Sequence, residues 1–233
     1  MNQVVRAENM WRVLGLLLAL WGSAAWAQTV GSVMQLTGTL SAQRGTETRI
    51  LSMNSEVQRG DTLSTQRASY AQIRFTDGSI ATLRPNTTMR VEEYQFNQSA
   101  PQADGLVMRL LKGGLRTVTG LIGKRGNQDA YKIETAVATI GIRGSEGDTC
   151  ATPCGDDSGK SSGLEPGVYH ITHTGLYIMV TKAGSILIAP GQIGYASDPN
   201  EPPVLLSGDT PLWFSRMPFV LGASDPVQEC TIK

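Results

Sequence analysis

The chain has 233 residues, 40% of them apolar, with 20 Lys and Arg against 20 Asp and Glu. That length suits one large domain, or one domain with an appendage, and can bury a core without metals or disulfides to hold it. The charge balance excludes an electrostatic attraction to nucleic acid or to an anionic membrane surface.

Residues 1–27 read as a secretory signal peptide. Arg6 and Arg12 are basic, residues 13–21 form an apolar run, Gly22 and Ser23 break it, and Ala25-Trp26-Ala27 supplies a small-x-small cleavage site. The apolar stretch is shorter than the roughly 20 residues of a spanning helix. Gln28 and not Cys follows the cut, so no lipoprotein anchor is expected. The chain is therefore expected in the periplasm of a Gram-negative cell, with no membrane span after cleavage.

From residue 28 onward short apolar-alternating runs are separated by Gly, Asn and Asp. Residues 30–36, 69–75, 79–83, 88–94, 106–111, 114–119, 131–142, 168–174, 176–181, 185–188 and 192–196 read as strands. Asp77-Gly78 between two of them is a hairpin signal, because Gly supplies the positive φ of a tight turn. Residues 105–112, with Leu106, Met108, Leu110 and Leu111, fit helix or strand and are assigned to strand. Many short strands predict an all-β domain over residues 28–197, a solenoid-like stack or twisted sandwich. Gly31-Ser32-Val33, Gly113-Gly114-Leu115 and Gly184-Ser185-Ile186 open strands alike, but their unequal spacing makes no true repeat. Residues 150–165 read as a mobile polar loop, and residues 198–233 as a Pro-rich extension. Its apolar residues, Trp213 and Phe214 among them, would dock on the domain or form a partner surface.

Chemistry-bearing residues are few. The only histidines are His170 and His173, and no Gly-x-Ser-x-Gly elbow exists, since Arg143 stands where Ser145 would need the first Gly. The run from Gly155 to Ser161 is a residue short of a phosphate loop and carries two Asp. Cys150-x3-Cys154 ahead of His170-x2-His173 approaches a zinc spacing, yet alternation along a strand sends the two histidines to opposite faces. In an oxidising compartment a Cys150–Cys154 disulfide fixing loop shape is the preferred reading, with a Cys230 bridge to either as the alternative. Asp148, Asp156 and Asp157 lack calcium-loop spacing and read as a solvated turn. Trp213 is the one Trp after residue 27, a thin aromatic supply for a glycan platform. No catalytic residue, metal or cofactor is expected.

Several motifs together resemble the FecR domain, a periplasmic β module of iron-uptake signalling regulators. Gly31 to Gly38 is similar to its opening strand. Gly60-Asp61-Thr62-Leu63-Ser64-Thr65 resembles its G-D-x-[IL]-x-T turn. Asp77-Gly78-Ser79 followed by Leu83-Arg84-Pro85-Asn86-Thr87 is similar to its centre. Ile133 to Glu146, containing Gly141-Ile142-Arg143-Gly144, resembles its most specific segment, and Pro190-Gly191-Gln192 its closing turn. The resemblance covers residues 30–196 and implies an all-β fold and a non-catalytic role in recognising an envelope protein or a small-molecule signal. A structural role in envelope assembly and a glycan- or peptidoglycan-binding role are the alternatives. Ala136, Ser145 and Gly147 depart from the family pattern. With only twelve residues ahead of the apolar run, no cytoplasmic anti-sigma segment is expected, nor an extra C-terminal module. Within the signature, Gly141 suits a close approach, Gly144 a turn or bulge, and Arg143 a clamp across a neighbouring strand or a ligand contact.

Overall fold

The computed structural model describes residues 28–127, 129–154 and 163–207. Fifteen strands join one continuous hydrogen-bonded sheet that folds into two facing layers. The first layer runs β4 (Glu56–Gln58), β1 (Thr29–Thr37), β6 (Tyr70–Phe75), β7 (Ile80–Leu83), then the second half of β9 (Gly105–Val118). It continues with the second half of β11 (Thr139–Ala151), the first half of β12 (Val168–Val180), β14 (Ile193–Ala196) and β15 (Val204–Leu206). The second layer runs β3 (Glu47–Leu51), β2 (Leu40–Arg44), β5 (Thr62–Thr65), β8 (Thr88–Gln95), the first half of β9 and β10 (Tyr131–Glu134). The first half of β11, the second half of β12 and β13 (Ser185–Ile188) complete it. The chain thus visits the layers alternately and advances along both, which makes a twisted sandwich closed like a small barrel where the long strands cross.

Alternation builds the core between the layers. Leu40, Ala42, Leu63, Met89 and Val91 from one layer meet Val30, Val33, Ile73 and Leu83 from the other, all fully buried in a single cluster. The long strands pass from layer to layer at corners. In β9, Leu106, Met108 and Leu110 face inward, Leu111 and Lys112 face solvent, and beyond Gly113 the inward positions become Leu115 and Thr117. The change of phase follows from a register shift against β8 between Thr88 and Met89, since a one-residue slip exchanges the faces. Gly113 has φ +90°, and a Cβ placed on it would lie 2.5 Å from the Cα of Thr87, so only glycine turns this corner. The opposite corner is at Gly144 of β11 (φ +62°), beside a register shift against β12 between Arg143 and Glu146.

The all-β reading and the strand assignment of residues 105–112 hold. Three details differ. Residues 106–111 and 114–119 form the single strand β9, and residues 168–174 and 176–181 the single strand β12, because each glycine bends the strand without ending its pairing. The run 131–142 is instead two strands. Thr135 breaks it, its Oγ1 donating to the Ala138 carbonyl (2.7 Å) and accepting from the Ala138 amide (2.9 Å). The hairpin β2–β3, with Ser41, Gln43, Arg44, Glu47, Thr48 and Arg49, is too polar for apolar alternation to single out. Asp61, fully buried, anchors it to the next turn by accepting from Arg49 Nη2 (2.6 Å) and the Gln58 amide (2.9 Å).

The two corners should respond differently to substitution. Gly113→Ala is expected to cost at least about 2–3 kcal/mol in urea unfolding, from strain at positive φ plus the Thr87 clash. Gly144→Asn, in a left-handed conformation that Asn tolerates and with its Cβ only in ordinary contact, 3.8 Å from the Gly123 carbonyl oxygen and Lys124 Cγ, should cost under about 1 kcal/mol.

Candidate functional site

The Asp77-Gly78-Ser79 turn joins β6 to β7, with Gly78 at φ +84°. The Asp77 carboxylate accepts from the Ser79 amide (3.0 Å), the Ser79 hydroxyl (2.6 Å) and the Ile122 amide (3.2 Å). Ser79 Oγ accepts from the Gly120 amide (2.9 Å), and the Asp77 carbonyl from the Leu121 amide (2.9 Å). The Asp77 amide donates to the Tyr94 hydroxyl (2.9 Å), which also bonds Thr76 Oγ1 (2.6 Å). Burial pushes that hydroxyl up to about 12. Asp77 is therefore a clasp between the β6–β7 turn, β8 and the segment 120–122.

In the most specific segment, a Cβ on Gly141 would lie 2.8 Å from Ile178 Cγ2, so the close neighbour is a side chain of β12. Arg143 Nη2 reaches the Asp129 carboxylate ahead of β10 at 3.7 Å, with 40% of its side chain exposed. Gly144 forms the corner. Pro190 and Gly191 make the β13–β14 turn, where the Gly191 amide donates to the Thr172 carbonyl (2.8 Å). Trp213 and Phe214 lie outside the described residues.

Asp148 departs from the solvated-turn expectation. It sits in β11, fully buried, opposite Arg116 of β9. Arg116 donates from Nε (2.8 Å) and Nη2 (2.5 Å), His173 Nε2 lies 2.7 Å from the same carboxylate, and Arg84 Nη2 is 3.7 Å away. Burial alone would raise the Asp148 carboxyl, but the hydrogen bonds from His173 and Arg116 and the two guanidinium charges hold it below its ordinary value. Burial lowers the Arg84 guanidinium against the pull of Asp148, whereas for Arg116 the lowering by burial, the largest single effect, is outweighed by the hydrogen bond to Asp148 together with the charges of Asp148 and Glu146, which raise it. The group bolts β7, β9, β11 and β12 together on the face turned away from the core.

His170 faces the other way. Its ring centre is 4.0 Å from that of Tyr177 in the core, and Nδ1 is 2.9 Å from Thr149 Oγ1. Burial pushes it down to about 3, so it is neutral in the folded chain. The histidines thus share no site, and among the described residues no three His, Cys, Asp or Glu converge to hold a metal ion. Cys150 and Cys154 are joined by a disulfide with Cα atoms 6.0 Å apart, both residues fully buried. With Tyr169, Ile171 and Ile193 they form a second apolar cluster outside the main core. Tyr169 donates to the Glu165 carbonyl (3.1 Å) and Tyr195 to the Pro166 carbonyl (2.7 Å), their rings 4.5 Å apart. Asp156 and Asp157 lie outside the described residues.

Two outcomes are expected. Asp148→Ala removes the carboxylate shared by two largely buried guanidinium groups and should cost about 3–5 kcal/mol, read as a fall in the urea midpoint. Between 6.5 and about 3, the unfolded chain holds a proton that folded His170 refuses, so stability falls as pH drops through that window, by up to about 1.4 kcal/mol per pH unit. Asp148 acts in the same direction lower down, its contribution complete above 3.8 and lost as pH falls below. His170→Phe should flatten the thermal stability profile between about pH 6 and about pH 4.

No curated protein matches the chain. Among solved structures, it is similar to two crystal structures of a candidate anti-sigma factor from Parabacteroides distasonis, at 14% and 13% identity. Each has a TM-score of 0.46 over 64% of this chain, and this chain spans 60% of the length of each. The family model described as FecR protein matches residues 61–160. That region begins at the buried Asp61 and contains the Asp77 clasp, Arg84, Arg116, the Gly141–Gly144 segment, Asp148 and the disulfide. Over those residues the chain matches the FecR family.

Proposed function

We propose that the chain is a non-catalytic recognition module of a periplasmic signalling system, and that it takes an envelope protein along the edge strand β15. The FecR domain supports a signalling-related module. The observation that carries the choice of surface is the last edge of the first layer. Among the described residues β15 pairs with β14 alone, and Val204, Leu205 and Leu206 are all exposed. Leu187 of the neighbouring β13 adds a further exposed apolar side chain at the same end. An open edge with apolar side chains recruits an extended segment through main-chain hydrogen bonds, and the side chains supply specificity. The polar side chains that the sequence offers for chemistry act structurally here: Asp77 in a clasp, Asp148 in a bolt, Cys150 and Cys154 in a disulfide.

A photo-crosslinking residue at Leu205 is expected to trap one envelope protein of constant mass in living cells, and the same residue at Ile50, on the opposite edge, to trap none. Leu205→Asp should reduce copurification of that protein at least tenfold. Equal products from both edges would sink the proposal, and crosslinks only to further copies of the chain would replace it with an assembly role.

A further inference from the structure

A recess of about 430 Å³ opens where β11 turns its corner, lined by Gly123, Lys124, Arg125, Gly126, Arg143 and Gly144. Three of the six are cationic and three are glycines. Among the described residues no carboxylate lines it. We infer that this recess is a binding site for an oxyanion group, phosphate or carboxylate, carried on a small polar molecule.

The three cations play different parts. Arg125 is fixed: Nη2 donates to the Asn97 carbonyl and the Asp104 carboxylate (both 3.1 Å), Nη1 donates to the Gln98 carbonyl (3.3 Å), and the guanidinium lies 5.0 Å from the Phe96 ring centre. Its charge is largely answered by Asp104, whose side chain is fully buried. The Lys124 side chain is exposed and has no hydrogen-bond or ion-pair partner among the described residues, while its amide donates to the Leu121 carbonyl (3.1 Å). Arg143 has only the 3.7 Å pair with Asp129, whose side chain is 66% exposed. Such a long, wet pair contributes little, so a better acceptor displaces it. Glu146, further along β11, acts on Arg116. Two carboxylates, Asp104 and Asp129, therefore face three cations and leave a surplus of one positive charge, which Lys124 carries, with Arg143 only loosely held beside it.

The glycines make the room. A Cβ on Gly144 would stand 3.8 Å from the Gly123 carbonyl oxygen and from Lys124 Cγ, and one on Gly126 would strike the Pro101 carbonyl. Side chains at these positions would fill the concavity or displace its wall. The Asp77 clasp holds the chain just upstream, at Gly120 to Ile122, so the segment bearing Lys124 is positioned by buried hydrogen bonds. A guanidinium offers a planar fork of donors and an ammonium a point charge, a pairing suited to a group with two or three oxygens. The volume falls within the roughly 300–1,000 Å³ of small-molecule sites and exceeds a bare ion, so the oxyanion is the head of a larger polar ligand. This site lies in a different part of the chain from β15 and does not depend on the partner reading.

The test is amide NMR of the full chain titrated with inorganic phosphate, glycerol 3-phosphate and acetate. Saturable shifts centred on Gly123, Gly126 and Gly144 are expected, with glycerol 3-phosphate binding more tightly than inorganic phosphate. The order of phosphate against acetate tells which oxyanion is preferred. Lys124→Ala with Arg143→Ala should weaken binding at least tenfold, and Asp129→Asn should strengthen it two- to fivefold by freeing Arg143. Should the double variant fail to fold, Lys124→Glu, a change at an exposed residue, should by itself abolish saturation. Linear shifts spread over the surface, or unchanged affinity in the Lys124 variants, would overturn the inference.

Discussion

Three strands of 13 or 14 residues are too long for one face of a small sandwich, and the fold is organised by the need to turn them. β9, β11 and β12 each serve both layers, so each must bend while keeping its neighbours. Glycine at positive φ supplies the bend, and the shifted register restores apolar side chains to the interior. Where β9 and β11 run side by side beyond their corners, a strictly apolar outer face would have nothing to cover it. The structure places an ion group there instead. Asp148 collects Arg116, Arg84 and His173, and the hydrogen bonds and opposite charges outweigh desolvation at Asp148 and Arg116 but not at Arg84.

The corners and the bolt were unequally legible in the sequence. Alternation identified the strands, and Asp77-Gly78 announced its turn, because those signals are local. Gly113 and Gly175 were read as strand ends, since a glycine that bends a paired strand looks the same in one dimension as a glycine that stops it. In the sequence Asp148 groups with Asp156 and Asp157 as an acidic cluster and reads as a solvated turn. Its partners lie 32 and 64 positions upstream, and a register that distant is set by pairing, which no spacing rule reaches. One signal was available: Arg116 interrupts the apolar alternation of residues 114–119, and opposite charges on neighbouring strands invite pairing across them.

The recess at the β11 corner was half legible. Gly141-Ile142-Arg143-Gly144 marked the place, with a strand clamp and a ligand contact both open for Arg143. Lys124 and Arg125 carried no signal, because they stand in an irregular segment that the Asp77 clasp brings to the corner. Conformation, and not motif, gathers the three cations.

The alternating course of the chain has a further consequence. Apart from β3 and β4 at the outer edge, the strands in both layers follow one another in chain order. A polypeptide delivered N-terminus first, from a ribosome or through a translocation channel, therefore receives each new strand on an edge already built, and no strand waits for a distant segment before it can pair. The molecule can close like a zip in the direction of its own delivery, and among the described residues the last edge to be laid down is β15.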